Sequence, residues 1–253
     1  MYHHGGDPLK FDYITDKGSV RQENQDSAFI TEVRSRGCLA AVVCDGMGGV
    51  HGGKLAGELA VSGYMAELRR SLIAGSDRKP DVAKAMDEAC RSANQVVYKY
   101  SVANTESAGM GTTLVAATIR GRTAEIVNIG DSRAYLIDRK TIRRITKDHS
   151  LVESLVDSGQ LTPEEAEHHP QKNIITRAIG VDPIVAADHF TVKLHIGNKL
   201  LLCSDGITNA LSEQELYAIC TESRKPDRIC RRLIAAALDH HASDNITAVL
   251  IQA

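Results

Sequence analysis

Tryptophan is absent from the 253 residues, and aromatics make up only 4% of them. A core built without them must be mostly aliphatic, and a hydrophobic content of 43% is enough to build one. No window approaches the roughly 20 apolar residues of a membrane span, so no membrane partner is expected. The six cysteines (Cys38, Cys44, Cys90, Cys203, Cys220, Cys230) form no CxxC pair and follow no secretory signal. That argues against a disulfide framework and for reduced thiols in a cytoplasmic protein. A basic stripe is also missing. The formal charge is −2, and Arg69-Arg70, Arg143-Arg144 and Arg231-Arg232 are isolated pairs, so nucleic acid is not an expected partner. There is no internal repeat and no regular βαβ alternation, which disfavours a Rossmann-type sheet. His3-His4 carries no functional weight, and His168-His169 and His240-His241 read as solvated.

What the chain does have is a recurring pairing of apolar runs with acids. Val42-Val43-Cys44-Asp45-Gly46, Val127-Asn128-Ile129-Gly130-Asp131 and Leu201-Leu202-Cys203-Ser204-Asp205-Gly206 each end in an aspartate, and Asp244-Asn245-Ile246-Thr247 begins with one. Such runs read as buried strands, and the glycines as the turns that end them. In an antiparallel sheet the end of one strand lies beside the start of the next, so all four acids can gather on a single edge. Clustered carboxylates repel one another unless a cation neutralises them, which points to a metal site. Asp26 and Asp244 stand near opposite ends of the sequence. A site using both requires one domain, taken as residues 1–253.

Short strands are expected at Phe11–Thr15, Ser27–Thr31 and Leu39–Cys44, with Arg21, Asn24 and Asp26 in the first connecting loop. Gly46-Met47-Gly48-Gly49-Val50-His51-Gly52-Gly53 is too glycine-rich for a regular element and reads as a loop. Two helices follow. Leu55, Leu59, Met65, Leu68 and Leu72 mark the first, and Val82, Met86, Ala89, Ala93, Val96, Val97 and Tyr100 the second, joined by a turn over Gly75–Pro80. Hairpins are expected from Thr112 to Ile145, using Thr112–Ile119, Thr123–Ile129, Arg133–Ile137 and Thr141–Ile145. Between Asp148 and Asp188, Ser150-Leu151-Val152-Glu153 and Thr162-Pro163-Glu164-Glu165 fit capping boxes of two short surface helices, a lid or flap. Strands His189–Leu194 and Lys199–Cys203, helices near Glu213–Cys220 and Asp227–Leu238, and strand Ile246–Ile251 complete an α+β order with mainly antiparallel sheets.

Oxygen donors without histidine or cysteine select Mg²⁺, Mn²⁺ or Ca²⁺ over Zn²⁺. Two such ions about 3.5–4 Å apart can share a water, lower its pKa and aim it at phosphorus. Asp45 suits the bridging position, the Gly46 carbonyl is unobstructed, and Asp205 and Asp244 can complete one ion each. Arg21, near Asp26, offers a guanidinium fork for phosphate oxygens. Taken singly, each motif has a plainer reading. Asp-Gly pairs are turns, Asp131-Ser132 a hairpin turn, and Asp244-Asn245 a strand cap. Asp148-His149-Ser150 invites a catalytic-triad reading, but Ser150 is better explained as an N-cap.

Seven motifs occur in the order found in the metal-dependent type 2C protein phosphatases. They are Val20-Arg21-Gln22-Glu23-Asn24-Gln25-Asp26, Cys44-Asp45-Gly46-Met47-Gly48-Gly49, Gly111-Thr112-Thr113, Gly130-Asp131-Ser132-Arg133-Ala134, Thr176-Arg177-Ala178-Ile179-Gly180, Ser204-Asp205-Gly206 and Asp244-Asn245-Ile246-Thr247. From about Phe11 to Ile251 the chain resembles the bacterial stand-alone members. The resemblance implies a four-layer α/β/β/α sandwich, two antiparallel sheets between helix pairs. It implies Asp45 bridging two Mn²⁺ or Mg²⁺ ions completed by Gly46, Asp205 and Asp244, with Asp131 and Asp205 holding a weaker third ion. Arg21 matches the phosphate-binding arginine, Asp26 the acid that hydrogen-bonds the metal-bound water, and residues 148–188 the mobile flap.

The implied activity is hydrolysis of phosphoserine and phosphothreonine in proteins by attack of a metal-bridged hydroxide, opposing a bacterial serine/threonine kinase. A cytoplasmic monomer is expected. Met47 is the one departure: animal relatives carry there a histidine proposed to protonate the leaving group, and a thioether cannot donate a proton. Two alternatives stand beside this reading, a catalytically silent phosphoprotein-binding module on the same fold and a small-molecule phosphomonoesterase.

Overall fold

The computed structural model describes residues 9–74 and 80–253. His3-His4 and most of the expected Gly75–Pro80 turn lie outside the described residues.

The chain opens with β1 (Lys10–Asp16), a loop, β2 (Asp26–Val33) and β3 (Cys38–Met47), then a helix pair, α1 (Gly49–Ala74) and α2 (Val82–Ala103). The glycine-rich segment is not a loop. β3 runs on through Asp45, Gly46 and Met47, and α1 begins at Gly49. Glycines suit this strand-to-helix junction for a packing reason: a Cβ on Gly46 would collide with the Gly53 carbonyl oxygen, and one on Gly53 with the Gln25 side chain.

A short β4 (Gly111–Thr112) leads into β5 (Leu114–Arg120), β6 (Thr123–Ile129), β7 (Arg133–Ile137) and β8 (Ile142–Arg144). Two short helices follow, α3 (Leu151–Asp157) and α4 (Pro163–Glu167), neither with a buried residue. Thr162 and Glu165 form the expected capping box. At α3 only half of it forms: Ser150 accepts from the Glu153 amide, while the Glu153 carboxylate pairs with Arg144 and Lys147. The chain closes with β9 (Asp188–Lys193), β10 (Lys199–Cys203), α5 (Asp205–Thr208), α6 (Glu213–Thr221), α7 (Pro226–Asp239) and β11 (Ile246–Gln252).

All strand pairings are antiparallel. One sheet has the order β1-β11-β10-β7-β8 and the other β2-β3-β5-β6-β9, with β4 attached to β3. Three apolar layers hold the stack together. Ala40, Val42 and Cys44 of β3 face the α1–α2 pair, packing under Tyr64, Leu68, Met86 and Val97. The alternate residues Leu39, Ala41 and Val43 face the second sheet, meeting Leu200, Leu202, Val249 and Ile251. On that sheet's far side, Leu201, Cys203 and Leu250 pack against Leu216, Ile229 and Leu233 of α6 and α7. This is the four-layer α/β/β/α sandwich. Strands buried on both faces explain why the sequence shows continuous apolar runs rather than alternation.

On α2 the buried stripe is Met86, Ala89, Ala93 and Val97. Val96 and Tyr100, expected on the same face, are exposed. All six cysteines are buried and free. Among the described residues no helix is long and apolar enough to cross a membrane.

Candidate active site

The acids meet, but not on the edge of one sheet. Asp45 near the end of β3 and Asp131 just past β6 come from one sheet, while Asp205 after β10 and Asp244 before β11 come from the other. The stacking of two sheets, which short-range sequence pattern does not encode, makes the cluster. Asp26, first residue of β2, is the register partner of Asp45. Cross-strand partners project from the same face of a sheet, so two carboxylates are placed side by side.

Hydroxyl groups lock the cluster in place. Thr113 grips Asp45 from both directions: its Oγ1 accepts from the Asp45 amide at 2.9 Å, and its own amide donates to the Asp45 carbonyl at 2.9 Å. Thr112 Oγ1 donates to the same carbonyl at 2.8 Å. Thr113 Oγ1 also bonds Ser132 Oγ at 2.7 Å, tying Asp45 to the residue after Asp131. Gly130, at φ 105°, makes the bend that brings Asp131 round. From the other sheet, Ser204 Oγ donates to Asp26 Oδ2 at 2.7 Å.

Asn245 holds the loop before β2 against the strand that starts beside Asp244. Its Oδ1 accepts from the Gln25 amide at 2.8 Å, and its Nδ2 donates to the carbonyls of Lys17 and Glu23 at 2.8 and 3.0 Å. That loop carries Arg21, whose guanidinium donates to Asp244 Oδ2 at 2.7 Å. Asp244 Oδ1 accepts from the Asn245 amide. The two expected site residues Arg21 and Asp244 are therefore partners of each other.

Burial dominates the electrostatics. It pushes the Asp45 carboxyl well above the ordinary carboxylate range, and the charges of Asp26, Asp205, Asp131 and Asp244 add to it. Burial carries Asp131 to about 7, with Asp205 and Asp148 adding to the rise. It carries Asp26 to about 6 against the opposing hydroxyls of Thr247 and Ser204. Asp205 is raised by burial and then by Asp244. Asp26, Asp45, Asp131 and Asp205 are thus disfavoured as anions by burial and then by neighbouring acids, a state that a cation reverses.

Two observations fit these residues to a hard cation. Asp26 Oδ1 and Asp205 Oδ1 are buried without a hydrogen-bond partner, and the donor set is oxygen throughout. Among the described residues no three His, Cys, Asp or Glu side chains already converge as a cage around one point.

Sequence reasoning missed the supporting groups. Asp148, His149 and Ser150, assigned to the flap, are buried in the body of the fold. Arg133 binds Asp148 through Nε and Nη2. His149 Nδ1 accepts from the Gly130 amide at 3.0 Å, and the His149 amide donates to the Gly130 carbonyl at 2.9 Å. Asp188 closes the hub against Arg177 and His149. The flap's far end is pinned by paired backbone bonds between Ile179 and Thr112. The motif containing Arg177 signalled that this region mattered, but its partners are distant in sequence. Met47 pairs with Gly111 at the β3–β4 contact.

Residues 17–248 match the protein phosphatase 2C family. The serine/threonine phosphatase stp of Listeria monocytogenes serotype 4b is 35% identical over 244 residues, covering 95% of this chain and 94% of that one. The serine/threonine phosphatase Stp1 from Staphylococcus aureus superposes with a TM-score of 0.89 at 35% identity, covering 100% of this chain and 98% of that one. The catalytic domain of the serine threonine protein phosphatase PstP, solved in complex with two manganese ions, superposes at 0.83 with 30% identity, covering 96% and 97%. With the family matched over residues 17–248 and relatives 35% identical along nearly the whole chain, the chain belongs to the protein phosphatase 2C family.

Proposed function

We propose that the protein is a metal-dependent serine/threonine protein phosphatase, with residues 1–253 forming one catalytic domain. The observation that carries this reading is the gathering of five aspartates from two sheets, four of them raised by burial, beside an arginine. Two bound Mn²⁺ or Mg²⁺ ions supply an acidified water and the positive charge that phosphoryl transfer needs. Asp45, the Gly46 carbonyl, Asp205 and Asp244 would hold the two ions, and Asp131 with Asp205 would hold a weaker third.

Arg21 sits on an exposed loop, so its fork can take two phosphate oxygens while still answering Asp244. Asp26 has Oδ2 occupied by Ser204 and Oδ1 left to accept a hydrogen bond from the attacking water and orient it. Residue 47 has no proton to give, so the leaving alkoxide takes its proton from water. Residues 151–179 are the flap beside the site. The substrates are phosphoserine and phosphothreonine proteins, including those of a cognate kinase, met in the cytoplasm by a monomer.

Mn²⁺-dependent release of phosphate from a phosphothreonine peptide tests the reading. The expected result is turnover that Asp205→Ala abolishes and that exceeds turnover of sugar phosphates. No release with Mn²⁺, or undiminished release by Asp205→Ala, overturns it.

A further inference from the structure

A cavity of about 1050 Å³ opens at the end of the sandwich opposite the carboxylates. β10 runs from Lys199, in the cavity wall, towards Asp205, and β3 from Leu39, also in the wall, towards Asp45. Six residues of strand at roughly 3.3 Å each separate the two places by about 20 Å. The cavity is therefore not part of the site described above.

Its lining divides by chemistry. Leu39, Ile119 and Leu194 form an aliphatic floor between the two sheets, and Ile196, 68% exposed, stands at the mouth. Lys10, Arg122, Arg139, Lys199 and Arg224 also line it, and none of them makes an ion pair among the described residues. The two acids in the wall are already engaged. Glu32 pairs with Arg34, and Asp138 accepts from the amides of Lys140 and Thr141.

Lys199 is the decisive group. It is only 7% exposed, yet no hydrogen bond or counter-charge answers it. Burial, with the Arg224 guanidinium nearby, holds its ammonium below the ordinary value. Its stem is buried while the ammonium, answered by no protein group, opens onto the cavity, where an anion can reach it. Across the ladder its register partner Gln252 has a buried Oε1 without a hydrogen-bond partner. An unpaired cation among other unpaired cations, beside an aliphatic floor, is the complement of a specific kind of molecule.

We propose that this cavity binds an anionic amphiphile, an aliphatic chain ending in a carboxylate or phosphate-type head. The head lies among Lys199, Arg224 and Arg139, and the chain runs over Leu39, Ile119 and Leu194. The volume is just above the usual range for small-molecule sites, and the lining is divided between polar and apolar surface, as an amphiphile requires.

Isothermal titration calorimetry of the full chain in Mg²⁺ tests this with decanoate and decylphosphonate, neither of which is a phosphate ester. One molecule of decanoate or decylphosphonate is expected to bind per chain, with acetate and decanol each at least about tenfold weaker. Lys199→Met and Arg224→Glu are each expected to weaken binding by about tenfold or more, the scale of one charge-assisted contact. Arg224 is exposed, so its variant keeps the test valid where Lys199→Met fails to fold. Absence of binding by both probes overturns the proposal. So does binding by Arg224→Glu, and by a folded Lys199→Met, as tight as by the parent.

Discussion

Asp26 and Asp45 are register partners across β2 and β3, so a buried carboxylate and a half-buried one face the same side of one ladder. No pairing of this kind stabilises a sheet, since like charges directly opposite are destabilising. Its consequence is a proton-linked stability. Folding raises Asp26 from 3.8 to about 6 and Asp131 from 3.8 to about 7. Between those limits the folded chain binds more protons than the unfolded one, so stability falls as pH rises. In chelator the thermal midpoint is expected to drop from about pH 4 to about pH 7, and less steeply in Asp26→Asn. Scanning calorimetry reads both slopes, and identical slopes count against the assignment.

Metal addition is expected to reverse that trend. A cation replaces the protons, so Mn²⁺ raises the midpoint most at neutral pH and least in acid, where protons compete for the same oxygens. Asp205→Ala is expected to abolish most of this rise and to lower turnover by more than about a hundredfold, beyond the loss typical of outlying partners. The same titrations with and without Mn²⁺ supply the check.

Arg21→Ala is expected to raise KM for a phosphopeptide far more than it lowers kcat, because a clamp on phosphate acts on bound substrate as well as on the reacting state. Arg21→Lys recovers charge but not the fork, so it is expected to recover only part of the loss. A kcat effect equal to the KM effect would show a different role.

Gly46→Ala is expected to destabilise the fold by about 1–3 kcal/mol, the usual cost of forcing a methyl into packed structure. Its Cβ meets backbone, the Gly53 carbonyl oxygen, which cannot swing aside as a side chain can. Urea unfolding monitored by circular dichroism measures this directly.

His149→Ala removes the acceptor of the buried Gly130 amide. Leaving that donor unsatisfied is expected to cost about 1–3 kcal/mol. The flap loses one of its anchors as well, so amide exchange over residues 151–179 is expected to rise ahead of the rest. Exchange that rises uniformly argues for a global effect instead.

The strands of this protein are legible in its sequence because β3, β6, β10 and β11 are apolar on both faces and meet glycine or acid at one end. The order of elements and the identity of the clustered acids follow from that. The partition of those acids between two sheets is not legible, because register within a sheet is local whereas stacking is set by the whole core. The glycine segment after Asp45 misleads for a related reason. Its composition reads as loop by propensity, yet packing of Gly46 against Gly53 makes it a strand meeting a helix. The supporting role of Asp148 and His149 is not legible because their partners, Arg133, Gly130 and Asp188, become neighbours only in three dimensions.

Asn245 has a consequence of its own. By stitching the carbonyls of Lys17 and Glu23 and the amide of Gln25 to the strand beginning at Asp244, it makes the arginine loop and that acid one mechanical body. The proposed grips on phosphate and on metal then share one support. Whatever loosens Asp244 is expected to slacken Arg21 as well, which couples the two proposed roles through a single side chain.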